Sequence, residues 1–216
     1  MSVASFDSIR ETNTRLIRKA LAGVVFVKRY DDADDPITQI YTSAGGLIIP
    51  PGYTDVGAIS KSAAVRFARE TSNSDVESWG FGEPTRRDIV RDITTMQFTM
   101  QESKKAVFEL YNSVDLSQVT ADADGNVIVD KPTRPQRLDW RAFTLSKDGD
   151  GPDAIYFLKW LPNAQVTSIE DQSWSEDSEV SYTVTLTGYE DPALKTSVRE
   201  VWGGPGLDVD GMGFGS

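Results

Sequence analysis

Residues Thr94–Gln101 alternate without a break: Met96, Phe98 and Met100 fall on one side, Thr95, Gln97, Thr99 and Gln101 on the other. Side chains two residues apart share a face of a strand. The segment therefore predicts a strand with one buried face and one that meets water or a polar partner. After Glu102 the period changes: Val107, Leu110, Tyr111 and Val114 stand at helical spacing, with Glu102 and Ser103 at the start, which predicts a helix over about 102–114. It is the only convincing helix after residue 22.

The rest of the chain reads mainly as strands. Gly23 opens an apolar strand through Val24–Val27, and Tyr53–Ile59, Ala64–Arg69 and Thr85–Ile93 follow, the last after a Trp79–Pro84 turn. Leu138–Leu145 and Ala154–Leu161 flank Lys147–Asp153 and predict a β-hairpin. Ala164–Ile169 and Val180–Tyr189 are two further strands; in the second, Tyr182, Val184 and Leu186 alternate with Thr183, Thr185 and Thr187. Asp115–Arg137 is polar and loop-like, broken by Pro132 and Pro135. In Ser5–Ala20, Phe6, Ile9, Leu16, Ile17 and Ala20 approximate a helical stripe, in a segment too short to be stable alone. From Val201 the chain is Gly-rich and expected to be loose or extended, although it carries Trp202 and Phe214. The expected architecture is mainly β: an antiparallel two-sheet β-sandwich or barrel-like subunit with one flanking helix. It forms a single domain over 1–216, with an N-terminal arm (about 1–22) and a C-terminal tail (about 201–216).

The chain has no histidine and no cysteine. That excludes Ser-His-Asp and Cys-His catalysis, His- or Cys-ligated zinc and haem, iron–sulfur clusters and disulfide frameworks. There is no Walker A loop. Asp122-Ala123-Asp124-Gly125-Asn126 imitates the start of a calcium loop, but Val127 and Thr133 occupy the positions that need Gly and Glu. Gly211–Gly215 is glycine-rich without a flanking strand or helix. Paired carboxylates such as Asp88 with Asp92, or Glu176 with Glu179, leave open a glycoside hydrolase built on acids alone. The five tryptophans could stack on sugars, though buried aromatics are the simpler account. No cofactor and no metal are expected.

Acids outnumber bases 33 to 22, for a net charge of −11. Ten acids lie between Glu170 and Ser216 against two bases, Lys195 and Arg199, so that stretch carries −8. A basic nucleic-acid-binding face is not expected. The longest apolar run, Ala20–Val27, is too short to span a bilayer, and its flanks do not suit a signal peptide, so the protein is expected to be made in the cytoplasm without membrane contact.

Several segments, in order, resemble one family. They are Gly23–Val27, Tyr53-Thr54-Asp55-Val56-Gly57, Val76–Pro84 with its Trp79-Gly80 turn, Thr94–Glu102, and Val107-Phe108-Glu109-Leu110-Tyr111, with Tyr182–Thr187 suiting the C-terminal half. Together they are similar to the major tail protein, the tail-tube subunit, of bacteriophages with long non-contractile tails. The resemblance implies a fold shared with type VI secretion tube proteins. It implies homohexameric rings whose sheets join into one barrel, stacked into a tube through which DNA passes in transit. The implied partners are other copies of the chain and the tape measure, tail terminator and tail tip, and the implied location is the virion tail. On that reading Thr95, Gln97 and Thr99 face the lumen, while Met96, Phe98 and Met100 form the core of the same strand. Phe6, Leu16, Ile17, Trp202 and Phe214 are expected to make inter-subunit contacts. The alternatives are another virion component (tail-tip, tail-terminator or head-decoration protein) and the carboxylate-only hydrolase.

Overall fold

The computed structural model describes residues 10, 12–31, 36–44, 46–134 and 136–215. Ten strands and one α-helix are present among them: β1 (Ala22–Arg29), β2 (Tyr41–Thr42), β3 (Gly46–Leu47), β4 (Thr54–Asp55), β5 (Val65–Val76), β6 (Arg86–Met100), α1 (Lys105–Asn112), β7 (Asp139–Asp148), β8 (Ile155–Ile169), β9 (Tyr182–Gly188) and β10 (Arg199–Gly203). Eight strands form one sheet in the order β4-β1-β7-β8-β9-β6-β5, with β10 also pairing β8, and β2–β3 make a separate ribbon. All pairs are antiparallel.

The sheet curls into a barrel because residues 54–60 bridge its two ends. Val56 N–H donates to Val25 O at 3.1 Å, Ser60 N–H to Thr99 O at 2.9 Å, and Gln101 N–H to Ala58 O at 3.0 Å. Inside lie Val25, Val27, Val56, Met96, Phe98, Met100, Trp140, Ala142, Leu161, Val184 and Leu186, closed at one end by Ala106, Val107 and Leu110 of α1. The outer face of the barrel has two halves. Over β1, β7 and β8 it carries a second core of Phe143, Leu145, Leu158 and Trp160, covered by Ile37 and Ile40. Over β9, β6 and β5 it is left bare.

The chain departs from the sequence expectations in several places. Thr85–Ile93 and Thr94–Gln101 are not two strands but one of 15 residues, β6. It pairs along its length with β5, which itself runs well past Arg69 to Val76. The Tyr53–Ile59 strand shrinks to Thr54–Asp55 and a bridge from Ile59 to Met100. The helix is shorter than 102–114, ending where Ser113 takes a left-handed conformation. Ala154–Leu161 and Ala164–Ile169 are a single strand, β8, that runs through Pro162. Proline is tolerated there because the register with β7 shifts between Trp140 and Ala142, while on the other edge the first residue of β10, Arg199, pairs Trp160 and the last of β9, Gly188, pairs Ala164. No neighbour asks position 162 for an N–H.

The N-terminal arm also differs from expectation. Of the Ser5–Ala20 stripe, the described residues form only one 3-10 turn, Thr14–Leu16, started by Asn13, whose side chain accepts from Arg15 N–H. Beyond it the backbone is captured by the end of β7: Lys19 N–H donates to Asp148 Oδ2 and Leu21 N–H to Lys147 O. A segment too short to hold a helix alone accepts the sheet edge instead. The tail, expected loose or extended from Val201, is extended at its start, where β10 lays Val201–Gly203 along the open edge of β8.

Candidate assembly surfaces

Two of the motifs that carried the resemblance, Tyr53–Gly57 and Thr94–Glu102, meet at the barrel seam. Asp55 Oδ1 accepts from Gly57 N–H at 2.7 Å, and Glu102 Oε1 accepts from Ala58 N–H at 2.7 Å. Lys104 Nζ lies 3.0 Å from Glu102 Oε2 and 3.3 Å from Asp55 Oδ2. Gly57 has φ +91°, and a Cβ there would sit 2.4 Å from the Glu102 carboxyl carbon, so any other residue is strained and must push the carboxylate aside. The Lys104 ammonium, and then the Ala58 amide, hold the Glu102 carboxyl below its usual range. Glu102 was expected at the helix start; it ties strand β6 to the seam loop instead. At the far end of α1, the Tyr111 hydroxyl donates to Glu170 O at 2.9 Å, and its ring meets that of Tyr182 edge-on.

The bare half of the outer face is polar. Register places Thr95 opposite Thr187, Gln97 opposite Thr185 and Thr99 opposite Thr183. Hydroxyl pairs cross the strands, Thr99 to Thr183 at 2.8 Å and Thr167 to Thr187 at 2.7 Å. Two acids border the face: Gln97 Nε2 donates to Glu170 Oε1 at 2.7 Å and Gln101 Nε2 to Glu179 Oε1 at 2.6 Å. Arg66 shares it, opposite Gln97, and forms no ion pair among the described residues. Met96, Phe98 and Met100 point the other way and are buried.

Strands β5 and β6 continue past the barrel as a two-stranded arm. Where the arm leaves the core, the Met-Phe-Met face gives way to charge. Arg69 grips Asp92 with two hydrogen bonds, and Arg87 grips Asp75 with two more. These donors hold the Asp92 and Asp75 carboxyls below their ordinary range. The arm ends in a defined turn: Phe81 N–H donates to Ser78 O, Thr85 N–H to Val76 O, and Gly80 takes φ +88°. A positive φ at the third residue of a turn favours glycine. The tip presents Trp79, fully exposed, and Phe81, 70% exposed; Ile89 and Val90 are exposed along the arm.

Of the residues expected at subunit contacts, Leu16 is half-buried, while Ile17 and Phe214 are exposed. Trp202 is 38% exposed and stacked on Phe157, with ring centroids 5.0 Å apart. Phe6 lies outside the described residues. Only Trp140 and Trp160 of the five tryptophans are core residues. The arm tip and Trp174, which is also exposed, stand against the buried-aromatic account. The nominated carboxylate pairs share no cleft. Asp88 and Asp92 are bound to Arg86 and Arg69 on the arm, and Glu176 and Glu179 lie in an exposed loop. Reasoning from sequence missed one buried pair. Arg141 and Asp191 lie 3.4 Å apart under the second core, with Asp191 Oδ1 accepting from Ala193 and Leu194 N–H. The Asp191-Pro192 dipeptide, a turn signal, was its only trace.

A mainly-β subunit with one face half covered and half bare, and a β-arm reaching past its own core, defines a structural building block. A family model described as phage tail tube protein matches residues 11–199, and the chain belongs to that family. It is a structural component of the virion tail. No curated protein matches the sequence. Among solved structures, the chain is similar to a subunit of the PVC sheath-tube complex of an extracellular contractile injection system, at 10% identity over 88% of this chain and 94% of that one, TM-score 0.42. It is similar to the anti-feeding prophage tube-terminating cap at 9% identity over 91% and 99%, TM-score 0.42. It is also similar to the Hcp1 protein of an E. coli EAEC pathovar at 10% identity over 83% and 96%, TM-score 0.31.

Proposed function

We propose that the chain forms homohexameric rings that stack into the tail tube, and that the bare threonine face of β9, β6 and β5 lines the bore through which DNA passes. The observation that carries this reading is the division of the outer face. One half is sealed by its own apolar core; the other keeps a polar ladder of Thr95, Gln97, Thr99, Thr183 and Thr185, each half-buried, with Thr187 buried at its end. A strip of neutral hydroxyls and amides stays wetted and offers phosphates little to hold them, Arg66 being its one cation among the described residues, with Glu70, Glu170 and Glu179 around it. Arm strands with unpaired backbone edges supply the means of joining neighbours, since an open edge is a template for another chain. Leu16, Ile17, Trp202 and Phe214 take part in these contacts, as does Phe6.

The role is structural, not catalytic, and needs no cofactor. Assembly takes place in the host cytoplasm with the tape measure, tail terminator and tail tip as partners. Negative-stain microscopy of the purified protein tests the reading. Tubes or stacked rings are expected; discrete single rings or trimers would move it to a terminator, tip or decoration protein, and persistent monomers would reject assembly altogether.

A further inference from the structure

The barrel is hydrogen-bonded shut at one end of its seam but open at the other, between the start of β1 and the start of β5. The opening is a groove of about 710 Å³ lined by Ala20–Gly23, Ile59, Val65, Phe67, Phe157 and Trp202. We propose that this groove receives the Trp79–Phe81 arm tip of a second copy of the chain, an inference that rests on the self-assembly reading for its partner.

Three observations carry it. First, the tip is a preformed aromatic knob. Its turn is hydrogen-bonded and fixed by Gly80, and both rings stand in water. Aromatic side chains bury about 150–250 Å² each and anchor interfaces when they enter pockets. Second, the charges match. Glu77–Glu83 carries two acids and no base, and neither acid forms an ion pair among the described residues. The groove carries Lys61, likewise unpaired among them, and Lys159 balanced by Glu200 at 2.8 Å, so an acidic tip meets a net basic groove on an otherwise acidic protein. Third, the tip cannot reach its own groove. Phe67 lines the groove and Val76 precedes the tip on one continuous strand, and the nine intervening steps at about 3.3 Å each hold the two about 30 Å apart. Tip and groove meet only between copies. Such a contact joins two different patches, so it propagates from subunit to subunit instead of closing as a dimer.

The absence of cysteine gives a clean test. Gly82 has open space around it and no positive φ, so Gly82→Cys beside the tip keeps both aromatics; Ala20→Cys marks the groove rim. Chains carrying one or the other are mixed, assembled and treated with a short bis-maleimide, with assembly followed in parallel by microscopy. Cross-linked pairs are expected in the mixture and not in either variant alone. Adding Trp79→Ala and Phe81→Ala to the Gly82→Cys chain is expected to slow cross-linking at least tenfold. Tubes without the mixed cross-link, or a cross-link indifferent to the two aromatics, overturn the docking and leave the tube reading standing. Cross-links without tubes uphold the docking and reject the tube; neither product rejects both.

Discussion

At Phe98 and Gln97 two adjacent side chains carry opposite burdens. Phe98 lies in the barrel interior with Met96 and Met100, so Phe98→Ala leaves a cavity and should cost about 3–5 kcal/mol in denaturant unfolding. Gln97→Asn shortens a side chain on the bare face and should leave the midpoint unchanged; a large loss there would show that the bare face is part of the subunit core. Gly57 is a sharper case. Gly57→Ala drives a methyl into the Glu102 carboxylate and forces alanine to φ +91°. Pairing it with Glu102→Ala removes the collision but not the backbone strain, of order 1–3 kcal/mol, with Glu102→Ala alone as the baseline because it already lacks the acceptor for Ala58 N–H. Unfolding curves should therefore show the double variant recovering part, and not all, of the single variant's loss. Full recovery would mean that the conformation carries no strain. The Asp191–Arg141 pair predicts a third effect: Asp191→Ala takes the carboxylate away from a buried guanidinium, leaving its charge to Asp31 O and the neighbouring rings, and should destabilise by about 3–5 kcal/mol.

The element that departs most from its sequence pattern is the β5–β6 arm. Its core half was legible because Met96, Phe98 and Met100 alternate with polar residues. Its outer half was not, because Arg69, Asp75, Arg87 and Asp92 hold the strands together with bidentate ion pairs, and periodicity of hydrophobic residues is blind to those. Pro162 hid the continuity of β8 in the same way, since a proline argues for a break unless both neighbours are missing at that position. The polar face of β6 was readable as alternation; the groove was not, because Gly23, Phe67, Phe157 and Trp202 come together only through the curl of the sheet. The arm's clamps make it sensitive to acid. Arg69 and Arg87 lower the folded values of Asp92 and Asp75, so their contribution is in place above the ordinary carboxylate range and is lost as pH falls through the lowered values. Both pairs are solvent-exposed, so the barrel should survive that loss. Protection factors of arm amides, taken relative to the intrinsic exchange rate at each pH, should fall on acidification well before those of β7 and β8 do; simultaneous loss of protection would mean that arm and barrel unfold as one.

At the scale of the whole molecule the question is what a passing polyanion meets. Glu170 and Glu179 border the threonine face, and Glu70 and Arg66 share its β5 edge. In the proposed tube, a ring of copies would repeat this balance around the bore, giving a wall that is mostly neutral with a negative excess. Like-charge repulsion in water is screened over about 8 Å at physiological salt, so such a wall centres DNA without arresting it. Gln97→Cys turns this into a measurement, because the chain has no other thiol. In assembled tubes this cysteine should react with a small maleimide that diffuses along the bore and resist a bulky polyethylene-glycol maleimide, whereas free subunits should take both. Equal labelling of tubes by both reagents would place Gln97 on the outside. Cationic and anionic thiol reagents of equal size then read the field. The cationic one should react faster at low salt, and the ratio should fall toward one as salt rises. An anionic preference would mean that Arg66, or a base brought in by a neighbouring copy, dominates the wall, and a conduit built that way would hold the phosphates it has to let pass.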